Sequence, residues 1–167
     1  KNIKRTIDAF FLLNTEKQKK LTIIGGGYDD YVKVYGKLHK GLINNVVFCG
    51  RISDREILKK YLFKADVFIM PSHMETFGLV YLEAISQCTP VVYAQGQSID
   101  GLFAEGYVGY HCKSHSVTSI RDAIELAICK HPHGLDFSEQ QVNPVSDFPW
   151  ERAASTLINQ AYISNAL

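Results

Sequence analysis

Five short, mainly apolar runs, each parted from the next by a polar or helical segment, constrain this chain more than any other feature. Leu21–Ile24, Val46–Cys49, Val67–Met70, Val91–Tyr93 and Val108–His111 are too short for buried helices and too continuously apolar for strands with one wet face. Such runs are strands covered on both sides, and the helical patterns around them supply the cover. Helices are expected over Ile3–Thr15, Tyr31–Leu42, Asp54–Phe63, Gly78–Gln87 and Val117–Cys129, with a last one from Pro149 or Trp150 to Ser164. Ser53 and Glu56 have the spacing of a capping box at the start of the third. Residues 131–148 read as an irregular connection, and there is no internal repeat. The expected class is α/β, a parallel sheet flanked by helices.

At 167 residues the chain can bury a core of its own and is expected to form one domain, 1–167. It opens on Lys1 rather than methionine, which suggests a part of a longer protein. Eighteen basic and seventeen acidic residues leave a net charge of +1, so bulk charge favours neither nucleic acid nor an anionic surface. Cys49, Cys88, Cys112 and Cys129 form no C-x-x-C pair, and reduced thiols in a cytoplasmic protein account for them most simply. No apolar stretch approaches the roughly eighteen residues of a membrane span.

Open parallel sheets bind ligands beyond the carboxyl ends of their strands. Three suggestive segments sit there: Gly25-Gly26-Gly27 after the first strand, Gly50-Arg51-Ile52 after the second, and Ser72–Gly78 after the third. In the last, Glu75 falls in the loop just before a helix N-terminus, where free N–H groups and the helix dipole attract anions, phosphate above all. Glu83 follows eight residues later, on the helix itself. Five helical residues rise roughly 7.5 Å, so one segment could hold a phosphate with an acceptor group at either end.

Each residue also has a plainer reading. The glycines fail to complete G-x-G-x-x-G, because position 30 is Asp, and a tight turn needing positive φ would explain them. Glu75 could be a loop residue favoured only by the dipole. Glu83 lies among Leu79, Val80, Leu82, Ala84 and Ile85, where a buried carboxylate without partners would be costly; alternatively it shares a thin wet edge with Ser86 and Gln87. His111, Cys112 and His115, and the pair His131 and His133, match no zinc ligand set, so no metal is expected.

Read in order, "IIGGG", "VVFCGRI", "YLFKADVFIMPSHMETFGLVYLEAISQCTPVVYA" and "FPWERAASTLINQAY" resemble the C-terminal, donor-binding domain of retaining family 4 glycosyltransferases. The resemblance covers nearly the whole chain. It implies a Rossmann-like parallel sheet, one half of a two-domain glycosyltransferase B-type fold whose N-terminal acceptor domain lies outside this chain. It implies that Glu75 holds hydroxyls of the donor sugar and that the backbone of Phe77, Gly78 and Leu79 meets the diphosphate. Glu83 would accept from the ribose diol, Arg51 and Ile52 would border the base, and Gly27 would let the backbone approach. Lys1 is similar to the lysine of a phosphate clamp whose arginine would precede it. The substrate implied is a nucleotide-diphosphate sugar, UDP-sugar most often, with no other cofactor and no nucleic acid partner. The location expected from the reduced thiols is cytoplasmic, with the cytoplasmic face of a membrane as an option through the parent protein. Two departures stand out: Cys88 occupies a helix-end position usually held by glycine, and Gln95–Ser98 has one glycine where two are common.

The chemistry expected is transfer rather than hydrolysis. Glycosidases place two carboxyl groups about 5–5.5 Å or roughly 6.5–9.5 Å apart around one bond, whereas here a phosphate-binding helix tip lies between them. The tip's N–H groups would stabilise charge growing on the leaving diphosphate. Retention by same-face attack, assisted by the leaving phosphate, is implied by the resemblance alone. Two further readings remain: a nucleotide-binding module without transferase activity, and a sugar-nucleotide epimerase of similar architecture.

Overall fold

The computed structural model describes residues 1–14, 18–37 and 43–137. Residues Lys1–Leu135 form one compact unit; of the second, Asp136–Leu167, only residues 136 and 137 fall in the described range, so the expected last helix lies outside it. The order in the first unit is α1 (Ile3–Leu12), β1 (Leu21–Ile23), α2 (Tyr28–Tyr35), a 3-10 turn (Ile43–Asn45), β2 (Val46–Phe48), α3 (Arg55–Phe63), β3 (Phe68–Ile69), α4 (Leu79–Ser86), β4 (Val91–Ala94), β5 (Gly109–Cys112) and α5 (Val117–Lys130).

All five expected strands form, and every pairing is parallel. They are joined, however, as two ribbons, β1-β2 and β3-β4-β5, and not as one continuous sheet. Only two residues of β3 pair regularly. Backbone bonds from Phe68 N–H to the Pro90 carbonyl (2.9 Å) and from Met70 N–H to the Val92 carbonyl (3.1 Å) tie it to β4. Nothing equivalent ties it to β1 among the described residues.

Helix α1 joins the ribbons through side chains. Ile7 and Phe10, one turn apart on the same face, pack with Leu21, Tyr31 and Val46 over the first ribbon. Ala9, on the adjacent face and fully buried, packs with Val92, Cys112, Ile120 and Ile124 over the second. Burying side chains the size of Ile7 and Phe10 contributes about 1.5–3 kcal/mol each. Strand β4 is buried at all four positions, which is why its run carries no polar alternation.

Three local expectations need correction. Helix α2 begins at Tyr28, not Tyr31, with Gly27 as N-cap, and stops at Gly36, whose φ of +79° breaks the helical path. Asp54, not Ser53, caps α3: its Oδ1 accepts from Glu56 N–H (2.8 Å) and Ile57 N–H (3.2 Å). Being one residue nearer, the carboxylate meets both donors. Finally, Cys88 itself turns the chain after α4 by adopting a left-handed φ of +59°. Its N–H reaches the Ile85 carbonyl (2.9 Å), and Thr89 N–H reaches Ala84 (3.0 Å), a Schellman closure in which Thr89-Pro90 only follows.

Candidate functional site

The loop from Pro71 to Gly78 leaves the end of β3 and delivers the chain to the start of α4. Its base is fixed by Tyr81, a fully buried residue of α4's first turn whose hydroxyl donates to the Met70 carbonyl. Burial first, and the negative charge of Glu75 second, push the Tyr81 phenol above its usual range, so it remains a neutral donor. The Ser72 hydroxyl, 1% exposed, has no partner among the described residues.

Three neighbouring segments hold the loop. His73 Nε2 lies 3.2 Å from Nη1 of Arg5 on α1, and its Nδ1 lies 3.0 Å from Ser114 Oγ after β5. Because guanidinium only donates, Nε2 must accept and Nδ1 carries the proton. Gln97 Oε1, after β4, accepts from Glu75 N–H at 3.1 Å. Ser98 Oγ donates to the Phe77 carbonyl at 2.6 Å. Met74 stands at the loop's tip, 89% exposed.

Helix α4 starts from Gly78 in the left-handed region, φ +61° and ψ +50°. No side chain caps it, and its first turn holds no acidic residue. Among the described residues no side chain accepts from its opening N–H groups, the condition for receiving an anion. A Cβ at Gly78 would stand 2.5 Å from Ser98 Oγ and 2.6 Å from the Tyr81 ring, so the turn closes only around glycine.

Glu75 is half-buried at this tip. Glu83 is exposed on one stripe of α4 with Leu79 and Ser86, while Tyr81, Leu82, Ala84 and Ile85 face the core. The expectation of a costly buried carboxylate at position 83 is thus corrected: the helix has one wet edge and Glu83 is on it. Phe77 is half-buried, Gly78 buried and Leu79 half exposed.

The other expected residues sit on the first ribbon or on α1. Gly25 N–H bonds to the Gly50 carbonyl (2.8 Å), bringing the glycine turn beside the turn that leads into Arg51 and Ile52. Of the three glycines only Gly25 has a positive φ, +109°. Gly27 has an ordinary extended conformation, and a Cβ there would meet nothing nearer than Asp30 Oδ2 at 3.5 Å. The fold itself does not require a glycine at 27. Arg51 is exposed and Ile52 half-buried, and no hydrogen bond or ion pair joins either to Glu75 or Glu83 among the described residues. Lys1 lines a cleft of about 420 Å³ with Arg5, Tyr35 and His73, which places it by the signature loop.

Sequence reasoning missed Arg5, His73, Tyr81, Gln97 and Ser98 as parts of this arrangement. The strand-end rule would have found two of them, since Gln97 and Ser98 follow β4 as directly as the loop follows β3. Elsewhere, His111 Nδ1 lies 2.9 Å from Glu105 Oε2, and the described residues hold no cluster of three groups able to bind a metal ion. No helix among the described residues is long and apolar enough to cross a membrane.

Residues 1–141 match the family described as "Glycosyl transferases group 1". Over 148 residues, 86% of this chain, it is 31% identical to D-inositol 3-phosphate glycosyltransferase of Corynebacterium aurimucosum, and over 156 residues, 92% of this chain, 28% identical to glycogen synthase of Mycobacterium tuberculosis. The chain spans only 35% and 37% of the lengths of those relatives. Among solved structures, sucrose-phosphate synthase from Thermosynechococcus elongatus superposes over 98% of this chain and 43% of its own, with a TM-score of 0.69 at 24% identity. HepE of Anabaena, solved with UDP and glucose, superposes over 98% of this chain and 44% of its own, with a TM-score of 0.61 at 24% identity. Those likenesses are of fold.

Proposed function

The chain belongs to the group 1 glycosyl transferases, and from that premise we propose that it is the donor-binding half of a retaining family 4 enzyme, moving a sugar from a nucleotide-diphosphate sugar to an acceptor. The observation that carries this reading is the uncapped tip of α4, free of acidic residues in its first turn, with Glu75 held at its entrance and Glu83 along its wet edge. In this reading the diphosphate lies on the N–H groups of Gly78 and Leu79, with Lys1 supplying positive charge nearby. Glu75 holds the sugar's hydroxyls and Glu83 the ribose diol, while Arg51 and Ile52 border the base and Gly27 leaves room for the backbone to approach. As the glycosidic bond breaks, negative charge grows on the departing phosphate, and amides already aimed at it stabilise that charge without reorganising. No described residue need act as a covalent nucleophile; the acceptor hydroxyl attacks from the face the leaving group vacates, which preserves the anomeric configuration, and its proton passes to the departing phosphate oxygen. The acceptor is selected by a domain outside this chain.

UDP is the first nucleotide to test, being the most frequent donor nucleotide in family 4. Calorimetry of the full-length parent with UDP, GDP and ADP, then with their sugar conjugates, tests the proposal. Tighter binding of one sugar-bearing form, with nucleotide release on adding an acceptor, is the expected result. Binding that ignores the sugar would favour the nucleotide-binding module, and interconversion of the donor without nucleotide release would favour the epimerase.

A further inference from the structure

Glu75 precedes the helix by four residues, on a loop with an exposed tip at Met74, so its carboxylate goes wherever the local backbone points it. Among the described residues one side chain bonds to that backbone at Glu75: Gln97, through Oε1. Gln97 is itself held in a tight turn. Its N–H bonds to the Ala94 carbonyl (3.2 Å), its carbonyl accepts from Asp100 N–H (3.1 Å), and Asp100 Oδ2 accepts from Gly96 N–H (2.5 Å). That turn leaves β4, the most completely buried strand of the ribbon. A buried strand's end thus reaches across, through one carboxamide, to the loop that carries Glu75. The contact at Phe77 made by the next residue, Ser98, serves the helix tip instead.

We propose that Gln97 is a positioning residue for Glu75: by accepting the Glu75 N–H it sets where the carboxylate meets the sugar, while the anion site at the tip of α4 is held independently by Ser98, Gly78 and Tyr81. The proposal rests on the functional reading above and adds to it a division of labour between two adjacent side chains. Gln97 governs turnover through Glu75, and Ser98 governs the diphosphate seat. A carboxylate displaced by a fraction of an ångström loses its alignment with the transition state, and a 1 Å error can cost on the order of a hundredfold in rate.

The test uses the full-length parent with UDP as the binding probe and release of UDP from UDP-glucose as the turnover probe. In Q97A, kcat is expected to fall by about tenfold or more, with the UDP dissociation constant within about twofold of wild type. In an E75Q background the same Q97A change is expected to cost less than about twofold, because a positioning residue matters only through the group it positions. Hydrogen exchange of the peptide spanning 73–78 is expected to quicken in Q97A while that of α5 stays unchanged. Equal losses in both backgrounds, a large loss of UDP affinity, or unchanged exchange across 73–78 would each overturn the proposal. A parent that binds none of UDP, GDP or ADP would instead overturn the functional reading, and the exchange measurement would still decide whether Gln97 holds the loop.

Discussion

Ser98 and Gly78 fit around one another: the Ser98 hydroxyl donates to the carbonyl just before Gly78 and occupies the space a side chain at 78 would need. Each residue is in the left-handed region, Ser98 at φ +53° and Gly78 at φ +61°. Gly78→Ala adds the left-handed penalty of about 1–2 kcal/mol to an overpacking cost of about 1–3 kcal/mol against Ser98 and Tyr81. A loss of roughly 2–5 kcal/mol in urea unfolding, with loss of UDP binding, is expected. A variant that stays fully stable would show that Ser98 moves aside freely.

Gly27 gives the opposite expectation. Its φ is ordinary and a Cβ would make no more than an ordinary contact with Asp30 Oδ2, so Gly27→Ala should leave the melting temperature within about 1 °C. If the bound nucleotide approaches that backbone, affinity for UDP should fall on the order of tenfold, about 1.4 kcal/mol. Loss of stability together with affinity would return the residue to a purely architectural role.

The two carboxylates should fail in different ways. Glu75→Ala is expected to lower kcat far more than it weakens donor binding, since in the proposed reading Glu75 holds the sugar's hydroxyls. Glu83→Ala, on the exposed stripe of α4, should raise the donor KM and leave kcat nearly intact. Steady-state kinetics of both variants in the parent enzyme would separate them, and matched losses in KM alone would refute the division.

Cys88 carries a strained conformation with an exposed side chain. Cys88→Gly removes a left-handed cost of about 1–2 kcal/mol and returns about 0.5–1 kcal/mol of backbone entropy to the unfolded chain. A net gain of up to about 1.5 kcal/mol should raise the melting temperature by up to roughly 6 °C. No gain would mean the Schellman closure holds Cys88 without strain.

Alkali should weaken the fold in a defined order. Burial pushes the Cys112 thiol up to about 12, whereas an unfolded thiol titrates near 8.5. Between those values the unfolded state has released a proton that the folded state keeps, so stability falls as pH rises, by about 1.4 kcal/mol per unit. Tyr81 and Tyr93, both raised chiefly by burial, steepen the decline once unfolded phenols titrate near pH 10. Urea midpoints between pH 7 and 10 check this, and Cys112→Ala should flatten the curve below pH 10.

Most strands were legible as short apolar runs, β4 most plainly, and α4 because Gly78 and the residues after Gln87 mark its ends. What the residues could not reveal was how the ribbons divide, since pairing depends on which edges meet and not on composition. Gly36 was hidden inside an otherwise helical pattern, and only its positive φ shows that it ends α2. The loop from Pro71 to Gly78 could be found from Glu75, from the glutamate eight residues on, and from its strand-end position. Of its supports, Gln97 and Ser98 follow a strand end and fall under the same rule, whereas Arg5 lies on α1 and takes its meaning only from long-range approach.

The division into ribbons has a mechanical consequence. No backbone hydrogen bond in the described pairing crosses from β1 to β3, so sliding one ribbon past the other would strain side-chain packing at α1 but break no ladder. The glycine turn and Arg51 ride on the first ribbon, while Glu75 and Glu83 ride on the second. A molecule gripping both would act as a rivet across that seam, stiffening the domain in proportion to how tightly it is held.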